Sequence, residues 1–163
     1  MNEPKSIRLI INGRERQVSA RPNETLLETL RGLAHFEVKS GCEKGDCGAC
    51  AVLLDGEAVD SCLTLTWTVD GSTVTTVSGL GTVDDPHPLH KAFIERGAAQ
   101  CGYCTPGLII AAQSMLDNDT ADPSEDDIRL ALSGNLCRCT GYTKVFDAVE
   151  EAARVLREGG ERA

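Results

Sequence analysis

Over the first eighty residues apolar and polar positions alternate with a period of two, and beyond residue 88 the period lengthens toward 3.6. SIRLII, from Ser6 to Ile11, reads as a strand; Asn12-Gly13 makes a hairpin turn, and Arg16 to Ala20 returns. After Pro22-Asn23, the residues Leu26, Leu27, Leu30 and Leu33 fall on one helical stripe. AVLLDGEAVDSC is strand-like and turns at Asp55-Gly56, and Thr73 to Val77 is a last short strand. Together these predict a β-grasp unit ending near Leu80. GTVDDPHP, residues 81–88, is a linker by composition. Four helix candidates follow: Leu89 to Arg96, Pro106 to Leu116, Glu125 to Leu132 and Lys144 to Leu156. Ser124 followed by Asp127 resembles a capping box, Gly97 and Gly134 are helix stops, and the tail from Arg157 should fray. The expected class is α+β, with a β-grasp domain over residues 1–81 and an all-α, four-helix domain over 82–163.

Composition sharpens this picture. The chain has 163 residues and is 41% hydrophobic, yet only 4% aromatic, so neither half has the bulk for a large core. A region of about 80 residues is marginal without a staple such as a metal or a disulfide. The net charge of -9 argues against nucleic-acid binding, which asks for a basic footprint, and otherwise favours solubility. MNEPKSIRLIINGRERQ has no apolar core of signal-peptide length and no twin arginine. The longest nearly apolar run, Gly107 to Ala112, is too short to span a bilayer. These points predict a cytoplasmic protein with no direct membrane insertion, whose cysteines bind metal instead of forming disulfides. His35, His87 and His90 are scattered, Asp84-Asp85 reads as a turn, and no catalytic base or nucleophile can be assigned.

The eight cysteines form two groups of four. Cys42, Cys47, Cys50 and Cys62 are spaced C-x4-C-x2-C-x11-C, the start of the plant-type ferredoxin pattern and a spacing suited to a 2Fe–2S cluster. Gly41, Gly45 and Gly48 beside them allow backbone N–H groups to turn toward an anionic cluster. A zinc knuckle is the competing reading. Cys101, Cys104, Cys137 and Cys139 are spaced C-x2-C-x32-C-x-C, which alone fits zinc or iron–sulfur. Cys137-Arg138-Cys139 requires a bent loop, and Thr105-Pro106-Gly107 starts a helix whose positive end favours a negative cluster. Tyr103 and Tyr142 flank this quartet and are expected to pack and shield it. Trp67 is expected to pack the first domain or a partner-facing surface. Gln100, taken alone, is a solvent-facing helix-end residue.

The strings GCEKGDCGAC, QCGYCTPG and GNLCRCTGY closely resemble the signature segments of the iron–sulfur subunit of the molybdenum hydroxylases, the xanthine oxidase family. The likeness runs from about Arg8 to Ala153. It implies a plant-type ferredoxin-like N-terminal domain and a four-helix C-terminal domain, each with one 2Fe–2S cluster. By the resemblance, Cys42, Cys47, Cys50 and Cys62 ligate the cluster nearer the flavin, and Cys101, Cys104, Cys137 and Cys139 the one nearer molybdenum. Gln100 would hydrogen-bond the molybdopterin, and the Cys139 thiolate would sit against the pterin amino group. The implied role is electron transfer from a molybdopterin centre through both clusters to FAD. The implied partners are a large subunit with molybdopterin cytosine dinucleotide and a medium FAD subunit, assembled as a dimer of heterotrimers. A free ferredoxin-like carrier and a zinc-stapled adaptor are the alternatives. The 32-residue gap between Cys104 and Cys137 is one longer than in many relatives, and the extra residue is expected within DNDTADPSED.

Overall fold

In the computed structural model, which describes residues 3–118 and 122–160, Asn12 and Gly13 both take left-handed backbone, with φ of 48° and 75°. Two successive residues of that kind make the turn whose twist matches the strands it joins. It links β1 (Lys5–Ile11) to β2 (Arg14–Ala20), antiparallel, with Ile11 opposite Arg14. Asp55-Gly56 repeats the device between β3 (Ala51–Leu54) and β4 (Glu57–Asp60). With β5 (Thr73–Thr75) these form one five-stranded sheet in the order β2-β1-β5-β3-β4, in which β1 and β5 run parallel. The alternation in β1 puts Ile7, Leu9 and Ile11 inward. They meet Leu26, Leu27 and Leu30 of α1 (Leu26–Gly32), and Val52 and Val74 complete the first core. Trp67 packs against this core and its indole N–H donates to the Ala20 carbonyl at 2.7 Å.

Four helices follow: α2 (Pro88–Glu95), α3 (Thr105–Asp117), α4 (Glu125–Ala131) and α5 (Thr143–Gly160). Their second core gathers Leu89, Phe93, Leu108, Ile109, Ile128, Leu132, Val145 and Val149. The Ser124–Asp127 capping box forms as expected. Gly97 ends α2 with its N–H on Ile94 and that of Ala98 on Phe93, the paired bonds of a left-handed helix stop. The two cores meet where Ile110 of α3 packs on Ala51 and Leu53 of β3. Among the described residues no helix is long and apolar enough to cross a membrane.

Four local expectations are corrected. The last strand stops at Thr75 and residues Val77–Gly79 form a 3-10 turn. Asn12 causes this: its side-chain oxygen accepts the Thr76 N–H and its amide donates to the Thr76 hydroxyl, both at 2.9 Å, so the ladder cannot continue. Gly134 does not stop α4, which ends at Ala131 with Leu132 as its C-cap and no left-handed glycine. There the Ser133 N–H and hydroxyl both donate to the Leu130 carbonyl. Helix α5 continues through Arg157 to Gly160, supported by pairing of Arg154 with Glu151 and Glu158 and of Arg157 with Asp122. Leu33, placed on the buried stripe, is the C-cap of α1 and is exposed. Of the stretch expected to hold the extra residue, positions 119–121 lie outside the described residues, as do 161–163 of the tail.

The start of α1 is fixed by a second capping box. The Thr25 hydroxyl accepts the Glu28 N–H at 3.2 Å while the Glu28 carboxylate accepts the Thr25 N–H at 2.8 Å. Thr25→Ala should therefore destabilise the full chain by about 1 kcal/mol, read as a lower denaturant midpoint with an unchanged slope.

Candidate metal centres

Between α1 and β3 the chain turns through the first three cysteines. The Lys44 and Asp46 N–H groups both point at the Cys42 sulfur, at 3.4 and 3.3 Å. Those donors, with the Cys47 side chain close by, lower the Cys42 thiol to about 7. Gly41 leaves room for this: a Cβ there would stand 2.8 Å from the Cys47 sulfur. Cys50 and Cys62 are buried side by side, and burial pushes the Cys50 thiol up to about 12. The Ser61 hydroxyl donates to the Cys50 carbonyl at 2.7 Å, tying the strand that delivers Cys62 to the loop that delivers Cys50. Glu43 accepts the Ser40 hydroxyl at 2.6 Å.

The second quartet is assembled from the start of α3 and the loop before α5. Cys104 is the N-cap of α3, with Pro106 in its first turn. Cys137 lies beside it, and burial followed by this neighbour raises the Cys104 thiol to about 12. Burial would raise Cys137 too, but the Thr140 hydroxyl at 3.1 Å and the Thr140 N–H at 3.5 Å outweigh it and bring that thiol to about 7. Cys139 and Cys101 pair at 3.6 Å between sulfurs, and Cys101 raises the Cys139 thiol. Tyr142 braces the bent loop: its hydroxyl accepts the Cys137 N–H at 2.6 Å and donates to the Asn135 carbonyl at 2.9 Å. Its ring stacks on Phe146, which in turn sits under Arg129. The CRCTGY string pointed to a packing role for Tyr142, but not to these two hydrogen bonds.

The thiols thus stand in pairs: Cys42 with Cys47, Cys50 with Cys62, Cys101 with Cys139 and Cys104 with Cys137. A mononuclear zinc site draws all four sulfurs to a single point, whereas a 2Fe–2S cluster takes two ligands on each of two irons. The donor set therefore fits two dinuclear clusters. The three histidines stand apart from the cysteines: His35 bonds Glu37, while His87 caps α2 and lies edge-to-face with His90.

The quartets differ in access. Cys50 and Cys62 are buried, while Cys101, Cys139 and Gln100 are exposed on one side of the helical half. Leu136 and Tyr103 beside them are 59% and 48% exposed. The two cysteine loops also touch one another. The Leu136 N–H donates to the Cys47 carbonyl at 3.0 Å, and Tyr103 donates its hydroxyl proton to the Ser40 carbonyl.

Two family models match the chain. The one described as 2Fe-2S iron-sulfur cluster binding domain covers residues 9–80, and the one described as 2Fe-2S binding domain covers residues 76–150. The chain is 45% identical to the nicotinate dehydrogenase small FeS subunit of Eubacterium barkeri over 90% of this chain and 94% of that one. It is 43% identical to the aldehyde oxidoreductase of Megalodesulfovibrio gigas over 91% of this chain but 17% of that much longer one. Among solved structures, quinoline 2-oxidoreductase from Pseudomonas putida 86 superposes with a TM-score of 0.91 at 38% identity. That match covers 98% of this chain and 99% of the matched chain.

Tyr142→Phe removes one acceptor and one donor from a half-buried loop. The helical half should lose about 1–3 kcal/mol, while unfolding of the sheet half is unaltered, as followed by hydrogen exchange. Equal loss in both halves would contradict the local role.

Proposed function

Since the chain belongs to the iron–sulfur subunits of the molybdenum hydroxylases, we propose that Cys42, Cys47, Cys50 and Cys62 hold one of its two 2Fe–2S clusters. Cys101, Cys104, Cys137 and Cys139 hold the other. The pairing of the thiols carries this assignment and favours iron–sulfide over zinc. The subunit's part in the oxidoreductase is electron transfer, and the bound iron supplies one-electron redox chemistry. The protein's own residues do the rest. The N–H groups of Lys44, Asp46 and Thr140 are aimed at thiolate sulfur, the start of α3 offers its positive end, and burial of Cys50 and Cys62 keeps water from that side. We divide the chain for this purpose at residues 1–81 and 82–163, one cluster to each part.

The helical quartet is the one we assign to the molybdopterin side. The exposure of Cys101, Cys139 and Gln100 on one face supports this, because an electron-donating cofactor in another protein must come close to it. The Gln100 amide offers a donor and an acceptor to a pterin edge, with the Cys139 thiolate beside it. The partners we propose are a large subunit carrying molybdopterin cytosine dinucleotide and a medium subunit carrying FAD, in a cytoplasmic dimer of heterotrimers. Support for separate partners comes from the Eubacterium barkeri relative, itself named a small subunit. In the Megalodesulfovibrio gigas relative the matching region is 17% of one long chain, so the same unit also occurs fused.

Elemental analysis should find about four iron and about four acid-labile sulfide per chain; zinc without iron would contradict the reading. In Cys47→Ser, electron paramagnetic resonance of the reduced protein should lose the first centre and keep the second, since each half carries its own ligands. Gln100→Ala should leave both clusters formed and their reduction by dithionite unchanged. If its hydrogen bond is desolvated in the complex, losing it costs about 1–3 kcal/mol in cofactor orientation or binding, and turnover falls. Wild-type turnover would return Gln100 to an ordinary surface residue.

A further inference from the structure

The contact between the two cysteine loops has no slack. Asn135 is buried at 5% exposure, and its side-chain amide crosses 87 positions of sequence to donate to the Gly48 carbonyl at 3.1 Å. The next residue, Leu136, donates its N–H to the carbonyl of Cys47. Gly107, in the first turn of α3, closes the same point from the other side: a Cβ there would lie 2.1 Å from the Gly48 oxygen. Gly48 itself has φ of 66°, and a Cβ on it would lie 2.4 Å from the Asn135 amide nitrogen. Three residues from different parts of the fold thus meet at van der Waals limits that only glycine at two of them permits. One lies between Cys47 and Cys50, one two positions before Cys137, one three positions after Cys104.

We infer that Asn135, clamped between Gly48 and Gly107, is a positioning residue that fixes the separation of the two clusters and holds the Leu136-to-Cys47 hydrogen bond as the shortest link between their ligands. The inference rests on the two-cluster reading. The device moves no atoms and transfers no proton; it sets a distance and a path. Asn135 suits it because its side chain reaches the Gly48 carbonyl while its own carbonyl is held by Tyr142, which also holds Cys137. The halves are also joined farther along α3, where Ile110 packs on Ala51 and Leu53. Asn118 reaches Glu57 at 3.1 Å on the exposed surface, far along α3 from the cysteines.

The test uses the full chain in the complex as purified, reduced with dithionite and measured by low-temperature electron paramagnetic resonance. Two paramagnetic centres at fixed separation split each other's signals by a dipolar coupling that falls with the cube of the distance. Asn135→Ala should retain wild-type iron and both signals, but the splitting should be lost or smeared. Asn118→Ala should retain it. Unchanged splitting in Asn135→Ala, or equal loss in Asn118→Ala, overturns the inference. Should Asn135→Ala lose iron, Gly107→Ala gives the same reading by forcing the loops apart, and loss of iron there too overturns it. Failure of the two-cluster reading is distinguishable, because the wild type would then lack a pair of signals altogether.

Discussion

Thiolates brought within a few ångströms of one another repel, and a chain that gathers eight of them must offset that repulsion at every turn. Bound iron would supply most of the countercharge, and the protein supplies N–H groups. Around Cys42 two successive loop amides do this, and around Cys137 the Thr140 amide and hydroxyl do it. Their effect is visible in the free thiols: Cys42 and Cys137 lie at about 7 while their buried counterparts Cys50 and Cys104 are pushed to about 12. Each quartet therefore contains one thiol lowered by N–H or hydroxyl donors and one raised by burial.

The same demand shapes the fold around the sites. The sheet and α1 enclose Cys50 and Cys62, so half of the first quartet is part of the first core. The helical half does the opposite, leaving Cys101 and Cys139 at the surface and bracing the loop from beneath through Tyr142 and Phe146. The first quartet has two thiols in a core, and the second presents two at the surface. Between them lies the junction where the Gly48 and Gly107 backbones meet and the Asn135 side chain bonds the Gly48 carbonyl.

Much of this could be read along the chain because it depends on neighbours in sequence. The Asn12-Gly13 and Asp55-Gly56 turns, the helix periods beyond residue 88 and the grouping of cysteines are local signals, and they carried the fold class. Local signals were also missed: Thr25-x-x-Glu28 is a capping box in plain view. What could not be read depended on distant partners. The end of β5 is decided by Asn12, 64 positions away from Thr76. The persistence of α5 draws on Arg157 pairing with Asp122, 35 positions earlier. Asn135 looked like any polar residue before a cysteine motif, since its partner lies 87 positions earlier. The thiol pairs were equally hidden, because spacing groups cysteines into quartets but does not say which two lie side by side.

That pairing is the centre of the account, and Mössbauer spectroscopy of the iron-57-labelled chain tests it most directly. Two iron atoms bridged by sulfide and held by two thiolates each couple antiferromagnetically. The oxidised chain should show only diamagnetic ferric doublets, and one-electron reduction of each centre should give equal ferric and ferrous components. Magnetically split high-spin ferric iron in the oxidised chain would mean mononuclear sites, and the dinuclear account would be wrong.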